Sequence, residues 1–228
     1  FRGTEYGSYA EDILVNQPGY VVFTPKGDNR VLGDTYNDHF QVFDKPDGTL
    51  FAVWTQATKE CDIDQHIAFS KSTDKGVTWP EPVVLAGSRN KTNPQLRASW
   101  QQPMVSRSGR IYLLWNQQVS DFQASRGSMF GIYTDNDGET WSAPAMVRMK
   151  RMDRDPDDPL IPPKWCNWQR PLRLGRDGKY LVGVSRHGKA AYEKWDNGTA
   201  VEFLQFDNID DDPEVEDVPY TLISTQVE

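Results

Sequence analysis

The sequence is poor in the features that mark membrane proteins and nucleic-acid-binding proteins. No apolar run approaches the roughly 20 residues that a membrane-spanning helix needs. Lys and Arg total 25 against 33 Asp and Glu, giving a net charge of −8, and no basic tract is present that could follow a phosphate backbone. These absences predict a chain without a membrane segment and without a nucleic-acid partner.

Cysteine is equally scarce. The two cysteines, Cys61 and Cys166, are too few for a disulfide framework and lack the paired spacing of a zinc site. His66 and His187 add no ligand spacing to them. We therefore expect neither a metal nor a cofactor. The pattern leaves open whether the cysteines form one disulfide or remain two free thiols.

One internal repeat organises the 228 residues. Residues 72–79 (STDKGVTW) and 134–141 (TDNDGETW) agree in Ser or Thr, Asp or Asn, Gly, Thr and Trp, and lie 62 residues apart. The Asp or Asn side chain can accept hydrogen bonds from the turn's own backbone, and Gly allows a positive φ. The repeat predicts structural hairpin turns built on Asp74, Gly76, Trp79, Asn136, Gly138 and Trp141.

Strand patterns accompany each copy of this turn. An apolar strand after a Gly turn precedes each copy, at 48–54 (GTLFAVW) and 109–115 (GRIYLLW), and a third such strand stands at 178–184 (GKYLVGV). Further short strands bring the number to four per unit. Such units, without a long amphipathic helix, predict an all-β fold, a β-propeller of four-stranded antiparallel blades. Near 206–212 the third turn lacks the Gly and the Thr-Trp, and is degenerate or replaced.

The repeat also divides the chain. Residues 1–36 form an N-terminal segment that could supply the outer strand of a neighbouring blade, and the three units that follow cover residues 37–90, 91–150 and 151–228. The last unit includes a long Pro-rich loop. Complete propellers have about four to eight blades. We therefore expect the remaining blades to lie outside this chain; the alternative is that a three-bladed chain closes by dimerising.

The octapeptide resembles the Asp box, or bacterial neuraminidase repeat (BNR), and the stretch from Asp47 to Trp79 looks like the first blade of the sialidase/neuraminidase superfamily. The resemblance implies a six-bladed propeller and a secreted or periplasmic exo-glycosidase acting on acidic sugars of glycans. The sequence departs from that family at 37–40, where NDHF replaces the usual Phe/Tyr-Arg-Ile-Pro. The family's Tyr nucleophile and its Glu belong to later blades, which this chain does not show.

Polar and aromatic residues recur where the inner strands of a propeller begin and the second strands end. These positions converge on one face, where ligands usually bind. Amides, indoles and guanidinium groups suit sugar hydroxyls and a carboxylate, although inner-strand amides could instead satisfy the backbone along a wet channel. The predicted substrate-binding residues are Gln56, Gln102, Gln117, Trp168, Arg170 and Arg186.

Three functions remain open for this face. The resemblance implies an Asp acid/base in the loop before the third strand of the first blade, which points to Asp62, with Asp64 second, and to Arg170 as the favoured carboxylate ligand. Alternatively, His39 beside Asp38 could serve as the base of a uronate-polysaccharide lyase or of another glycosidase. The third function is a non-catalytic propeller that binds glycans or proteins.

Overall fold

The computed structural model describes residues 20–26, 33–89, 97–118, 127–153, 155, 157–159, 163–167, 169–174, 178–187 and 199–222. Over these residues the chain is almost entirely β-strand, joined by tight turns. Within this part, no helix is long and apolar enough to cross a membrane. The predicted all-β fold class is therefore confirmed.

Thirteen strands and two 3₁₀ turns are present in the described part of the chain. The strands are β1 Tyr36–Asp44, β2 Leu50–Ala57, β3 His66–Ser72, β4 Val83–Gly87, β5 Ala98–Val105, β6 Ile111–Gln118, β7 Gly127–Thr134, β8 Ala145–Met146, β9 Lys164–Cys166, β10 Leu172–Leu174, β11 Lys179–His187, β12 Thr199–Phe206 and β13 Tyr220–Leu222. The 3₁₀ turns are Ile209–Asp211 and Val215–Asp217.

Strands β1 to β4 form the first sheet, antiparallel and in sequence order. Strand β2 is buried along nearly its whole length, because neighbouring groups cover both of its faces. This double burial explains why it is a continuous apolar run rather than an alternating pattern. A tight turn with Gly48 at φ 87° joins it to β1.

The second sheet (β5 to β8) and the third sheet (β9 to β13) repeat this order. Both β9 and β10 pair with β11, so together they take the place of one interrupted inner strand. A single backbone pairing, Gly127 with Trp165, links β7 to β9 and makes the two sheets continuous. The antiparallel four-stranded unit predicted from the repeat is thus present.

Apolar side chains fill the spaces between neighbouring sheets. One cluster, between the first and second sheets, includes Phe51, Ile67, Phe69 and Trp115. Another, between the second and third sheets, contains fifteen buried residues that include Leu114, Val182, Leu204 and Phe206. Each fully buried side chain of this kind contributes about 1.5–3 kcal/mol relative to exposure. Packing of sheet against sheet is therefore the main source of tertiary stability.

The repeated octapeptides form the turns that follow β3 and β7; we call them the box turns (72–79 and 134–141). In the first, the carboxylate of Asp74 accepts hydrogen bonds from the Thr78 N–H (2.9 Å) and hydroxyl (2.6 Å). In the second, the Asn136 amide oxygen accepts the Thr140 N–H (2.9 Å). Trp141 packs edge to face on Phe69 of the first sheet, with ring centroids 5.4 Å apart.

The third copy of the box turn is replaced. Between β12 and β13 the two 3₁₀ turns stand in its place, and their residues Ile209 and Val215 join the core between the second and third sheets. The acidic side chains of this segment include Asp210, which forms an ion pair with Arg173 (2.6 Å).

The N-terminal segment is described only in part. Residues 20–26 form no strand and lie on the outward face of the first sheet, where Phe23 contacts Trp54 at a ring-centroid distance of 5.8 Å. Residues 1–19 lie outside the described part. Cys61 is exposed and Cys166 is buried, and neither forms a disulfide.

Candidate functional site

The sheet topology gives the molecule two different ends. At one end, which we call the mouth, β1, β5 and β9 begin and β2, β6 and β11 finish. The opposite end, which we call the box end, carries the box turns and the hairpins at Gly48 and Gly109. The site residues expected from the sequence can now be placed relative to these two ends.

The inner strands β1 and β5 bulge close to the mouth. Their pairing shifts between Asp38 and Gln41 and between Ser99 and Gln102. At the equivalent positions His39 (φ 55°) and Trp100 (φ 56°) have the left-handed backbone conformation. A bulge of this kind turns a side chain away from the direction that regular strand alternation would give it. The two rings meet edge to face, with centroids 6.0 Å apart.

A carboxylate stands beside this ring pair. Asp38 accepts hydrogen bonds from the Tyr36 hydroxyl (2.8 Å) and the His39 N–H (2.7 Å), and its Oδ2 lies 3.5 Å from His39 Nδ1. Burial raises the pKa of Asp38, but these hydrogen bonds outweigh burial and hold the pKa below its ordinary value. Burial lowers the pKa of His39, which Asp38 only partly offsets. The imidazole is therefore neutral at neutral pH.

The loop between β2 and β3 brings more acidic groups to the mouth. Asp64 is completely buried, and its carboxylate accepts hydrogen bonds from the Thr58 N–H (3.2 Å) and hydroxyl (2.5 Å). Asp62 is half-buried, and its Oδ1 accepts the N–H of Ile63 (2.8 Å). Asp64 thus holds the loop together, and Asp62 is the carboxylate that a ligand can reach.

The mouth also contains Arg97, which the sequence patterns did not predict as a site residue. Arg97 is only 5% exposed, and its Nε and Nη1 are buried without a hydrogen-bond partner among the described residues. Burial lowers the pKa of Arg97, while the charges of Cys61, Asp62 and Asp64 act in the opposite direction. Guanidinium N–H groups that lose water without gaining an acceptor are costly. An anionic group that reached them would therefore be bound strongly.

One alignment within the sequence could have identified Arg97. The strand registers make it the equivalent of Tyr36, because each stands three residues before the left-handed residue of its inner strand. Aligning the two inner strands on His39 and Trp100 would have placed an Arg at the mouth. The hydrophobic patterns alone could not supply that alignment, since they do not reveal a bulge.

The amides Gln56 and Gln117 stand at the mouth ends of β2 and β6, but Gln56, which the sequence predicted to bind substrate, is not accessible to a ligand. Gln56 is fully buried, its amide group donates to Asn37 Oδ1 (2.8 Å), and its Oε1 faces His66 Nε2 (3.1 Å). Gln117 is half-buried and donates to the backbone carbonyl of Arg97 (3.0 Å). Gln117 therefore supports the strand start at which Arg97 stands.

Two of the expected ligand-binding residues are instead buried between sheets. Gln102 donates to the carbonyls of Trp100 (3.2 Å) and Asn167 (3.1 Å), so that it ties the second sheet to the third. Arg186 is 2% exposed and forms two hydrogen bonds with Asp155 (3.0 and 2.6 Å). Both residues lie near the mouth end of their strands, but their side chains point into the packing between sheets.

Arg186 lies at the centre of a buried charge network. Its Nη2 also donates to the Lys150 carbonyl (2.6 Å), and its Nη1 lies 3.5 Å from Glu202. Burial lowers the pKa of Arg186, but the interaction with Asp155 outweighs burial and the net direction is upward. The network fastens the Pro-rich loop to the third sheet, because Asp155 belongs to that loop.

Arg170 does not join the residues at the mouth. It is exposed, donates to the carbonyl of Val42 (3.0 Å) and lines a cavity together with the hairpin that follows β1 at the box end. Trp168 lies outside the described residues. The structure therefore brings Asp62, His39 and Gln117 to the mouth, with Arg97 and Trp100, and leaves Arg170 apart from them.

No cluster of three or more His, Cys, Asp or Glu side chains suited to a metal ion occurs among the described residues. The side chains described at the mouth include a carboxylate, an imidazole, a guanidinium group and an indole face. This set can bind an acidic sugar and exchange protons with it.

Comparisons with known proteins agree with the architecture. A family model described as a BNR repeat-like domain matches residues 48–205. No curated protein matches the sequence. A solved protein of unknown function from Dyadobacter fermentans is similar, with a TM-score of 0.60 at 13% identity, over 89% of this chain and 56% of that one.

Two solved enzymes are also similar in structure. A Hadza microbial sialidase has a TM-score of 0.57 at 16% identity, over 83% of this chain and 37% of the sialidase. A family 117 glycoside hydrolase from the marine bacterium Zobellia galactanivorans has a TM-score of 0.54 at 12% identity, over 91% of this chain and 60% of that hydrolase. The chain thus spans about a third to three fifths of these proteins. It belongs to the BNR repeat-like domain family, and its fold is that of the sialidase-type propeller.

Proposed function

We propose that the protein is a sialidase-like exo-glycosidase, secreted or periplasmic, that binds an acidic sugar of a glycan at the mouth. The observation that carries the proposal is Arg97, with two buried N–H groups that lack an acceptor, next to Asp62. A carboxylate on the sugar would supply that acceptor through charge-assisted hydrogen bonds. The similarity in fold to a sialidase and to a glycoside hydrolase supports a glycosidase-like propeller.

Each residue of the mouth has a definite role in this proposal. The Asp62 carboxyl group donates a proton to the leaving glycosidic oxygen and later accepts one from the attacking water. Trp100 offers its indole face to the apolar side of the sugar ring. Arg97 binds the sugar's carboxylate, which is the role that the resemblance assigned to Arg170.

A second candidate function rests on His39. Its neutral imidazole, 3.5 Å from Asp38 and in contact with Trp100, suits a base that removes the proton next to a uronate carboxylate. In that reaction the C–H bond breaks, the electrons form a C=C bond, and the glycosidic oxygen leaves. Arg97 would then neutralise the uronate, so the two functions differ in which residue handles the proton.

One experiment separates these functions. The protein that carries this chain is assayed on fluorogenic sialosides and glucuronides, and on uronate polymers with detection of the ultraviolet absorbance of an unsaturated product. The variants are Asp62→Asn, His39→Asn and Arg97→Gln, with Asp211→Asn at the exposed box end as the matched control. Asn is chosen at position 39 because it tolerates the left-handed backbone.

For a glycosidase, we expect Asp62→Asn to reduce kcat/KM by about 10²–10⁴-fold, since general acid catalysis contributes that much. Arg97→Gln should raise KM for acidic substrates, and Asp211→Asn should change nothing. Unsaturated product that disappears in His39→Asn would identify the lyase. Saturable binding of acidic sugars without turnover on either assay would overturn both reactions and leave a glycan-binding propeller.

A further inference from the structure

The box end contains a cavity that the proposed function does not use. It has a volume of about 760 Å³, which is within the range of small-molecule sites. The hairpin after β1 (44–47), the hairpin after β5 (106–109) and the segment around β10 (170–173) all line it. All three sheets therefore contribute to one concave surface, at the end of the molecule opposite Asp62 and Arg97.

Four cationic side chains line this cavity. All have partners in the protein, but two of them are held more closely than the others. Lys45 forms an ion pair with Asp137. Arg173 is held by Asp210 (2.6 Å) and by the carbonyl of Val105 (2.6 Å), and its guanidinium group stacks on a Tyr ring. Neither is therefore available as the main contact of a ligand.

The other two cations are accessible. The side chain of Arg107 is 69% exposed, and its contact with Asp210 is long, at 3.3 Å. Arg170 is exposed, and its Nη1 donates to a backbone carbonyl, that of Val42, rather than to an acid. Two solvent-accessible guanidinium groups from different sheets thus border the same cavity.

The remaining wall combines an apolar side chain with an acceptor. Phe43, Pro103, Pro171 and Tyr180 belong to the lining but are buried, whereas Leu172 (54%) and the carboxylate of Asp44 are exposed. An exposed apolar side chain can pack against the C–H face of a sugar, and a carboxylate accepts hydrogen bonds from hydroxyl groups. Guanidinium groups bind carboxylate or sulfate through bidentate hydrogen bonds.

We propose that this cavity is a second binding site, for an acidic saccharide. The carboxylate or sulfate of the ligand binds Arg170 and Arg107, one sugar ring packs on Leu172, and hydroxyl groups donate to Asp44. The site is separate from the mouth, because Arg170 and the hairpins lie at the box end. It would hold a charged glycan chain on the protein independently of any turnover at the mouth.

Calorimetric titration with digalacturonate, and with lactose as the neutral probe, tests this site in the protein that carries the chain. The variants are Arg170→Gln and Arg107→Gln. Two controls remove the same charge elsewhere: Arg148→Gln on the exposed surface and Arg97→Gln at the mouth. Thermal unfolding of each variant shows whether it is folded.

We expect saturable digalacturonate binding with a dissociation constant below about 1 mM, and little lactose binding. Arg170→Gln and Arg107→Gln should each weaken it about tenfold, as expected for the loss of one charge-assisted contact. Arg148→Gln should leave it unchanged. Arg97→Gln should remove only the binding at the mouth and leave the box-end site occupied. The site is overturned if no binding occurs, if Arg148→Gln weakens binding equally, or if Arg97→Gln abolishes binding while Arg170→Gln does not. None of these outcomes depends on whether the glycosidase or the lyase function is correct.

Discussion

At the residue scale, the two box turns show how one structural task is met by two different side chains. Asp74 bridges the N–H and the hydroxyl of Thr78, and Asn136 makes the same bridge to Thr140 with its amide oxygen and its N–H₂ group. These hydrogen bonds, the one from the Thr78 hydroxyl first, lower the pKa of Asp74 to about 2. The bridge to Thr78 therefore responds to acid, whereas the bridge that Asn136 makes has no ionisable group.

The first prediction uses this difference. Because the pKa of Asp74 is lower in the folded protein than the ordinary 3.8, its contribution to stability is present above pH 3.8 and is lost as the pH falls toward 2. Asp74→Asn should keep the turn at neutral pH, as Asn136 does, and should remove this acid-dependent part. The measurement is the free energy of unfolding by urea between pH 2 and pH 6.

The reciprocal variant is the control. Asn136→Asp should introduce an additional acid-dependent loss of stability, because position 136 carries no ionisable group in the original protein. Parallel pH profiles for the original protein, Asp74→Asn and Asn136→Asp would show that the turn hydrogen bonds do not depend on the ionised carboxylate.

At the scale of the element, the second box turn connects two strands and also packs against the first sheet. Gly138 has φ 82°, and a Cβ atom there would stand 2.7 Å from Cζ of Phe69. That ring cannot easily move, because it is buried, stacks on Phe51 and meets Trp141 edge to face. The glycine thus permits both the turn and the close approach of two sheets.

Gly138→Ala and Gly48→Ala form a matched pair that separates these two effects. Gly48 has φ 87°, but a Cβ atom at this residue would have nothing within 4 Å, so its replacement costs only the left-handed strain of about 1–2 kcal/mol. Gly138→Ala should cost about 1–3 kcal/mol more, because it also overpacks the contact with Phe69. Urea unfolding measures both; equal losses would show that Phe69 does not resist the added methyl group.

At the scale of the whole molecule, the two outward faces of the chain differ. The first sheet is partly covered on its outward face by residues 20–26, through Val22 and Phe23. The third sheet exposes Leu172 (54%), Leu174 (49%) and Val201 (72%), which the strand pairings place on one face. Exposed apolar side chains that share one face of a sheet mark a surface that associates with another.

We therefore expect the chain, studied by itself, to associate through the third sheet. The double variant Leu172→Thr with Val201→Thr should shift the species seen in sedimentation velocity toward the monomer. Val83→Thr, which changes an equally exposed residue (53%) on the outer strand β4, should have no effect. Association that persists in the double variant would place the contact elsewhere.

Much of this architecture could be predicted from the sequence, because its causes are local. The octapeptides carry their own hydrogen-bond acceptors and glycines, and apolar runs such as 50–54 identify strands buried on both faces. The order of turns and strands then leads to four-stranded sheets. These features depend on residues close in the chain, so pattern and spacing suffice to find them.

Only the tertiary structure decided which side chains meet. Gln102 and Arg186 lie near the mouth end of their strands, yet a neighbouring sheet covers them. Arg97, without a motif of its own, is buried beside Asp62 because the loop after β2 lies against the start of β5. The sequence by itself therefore determined the sheets and their turns. Burial decided which residues form the site, and burial depends on residues that are distant in the chain. In addition, the bulges at His39 and Trp100 turn side chains in directions that regular strand alternation does not predict.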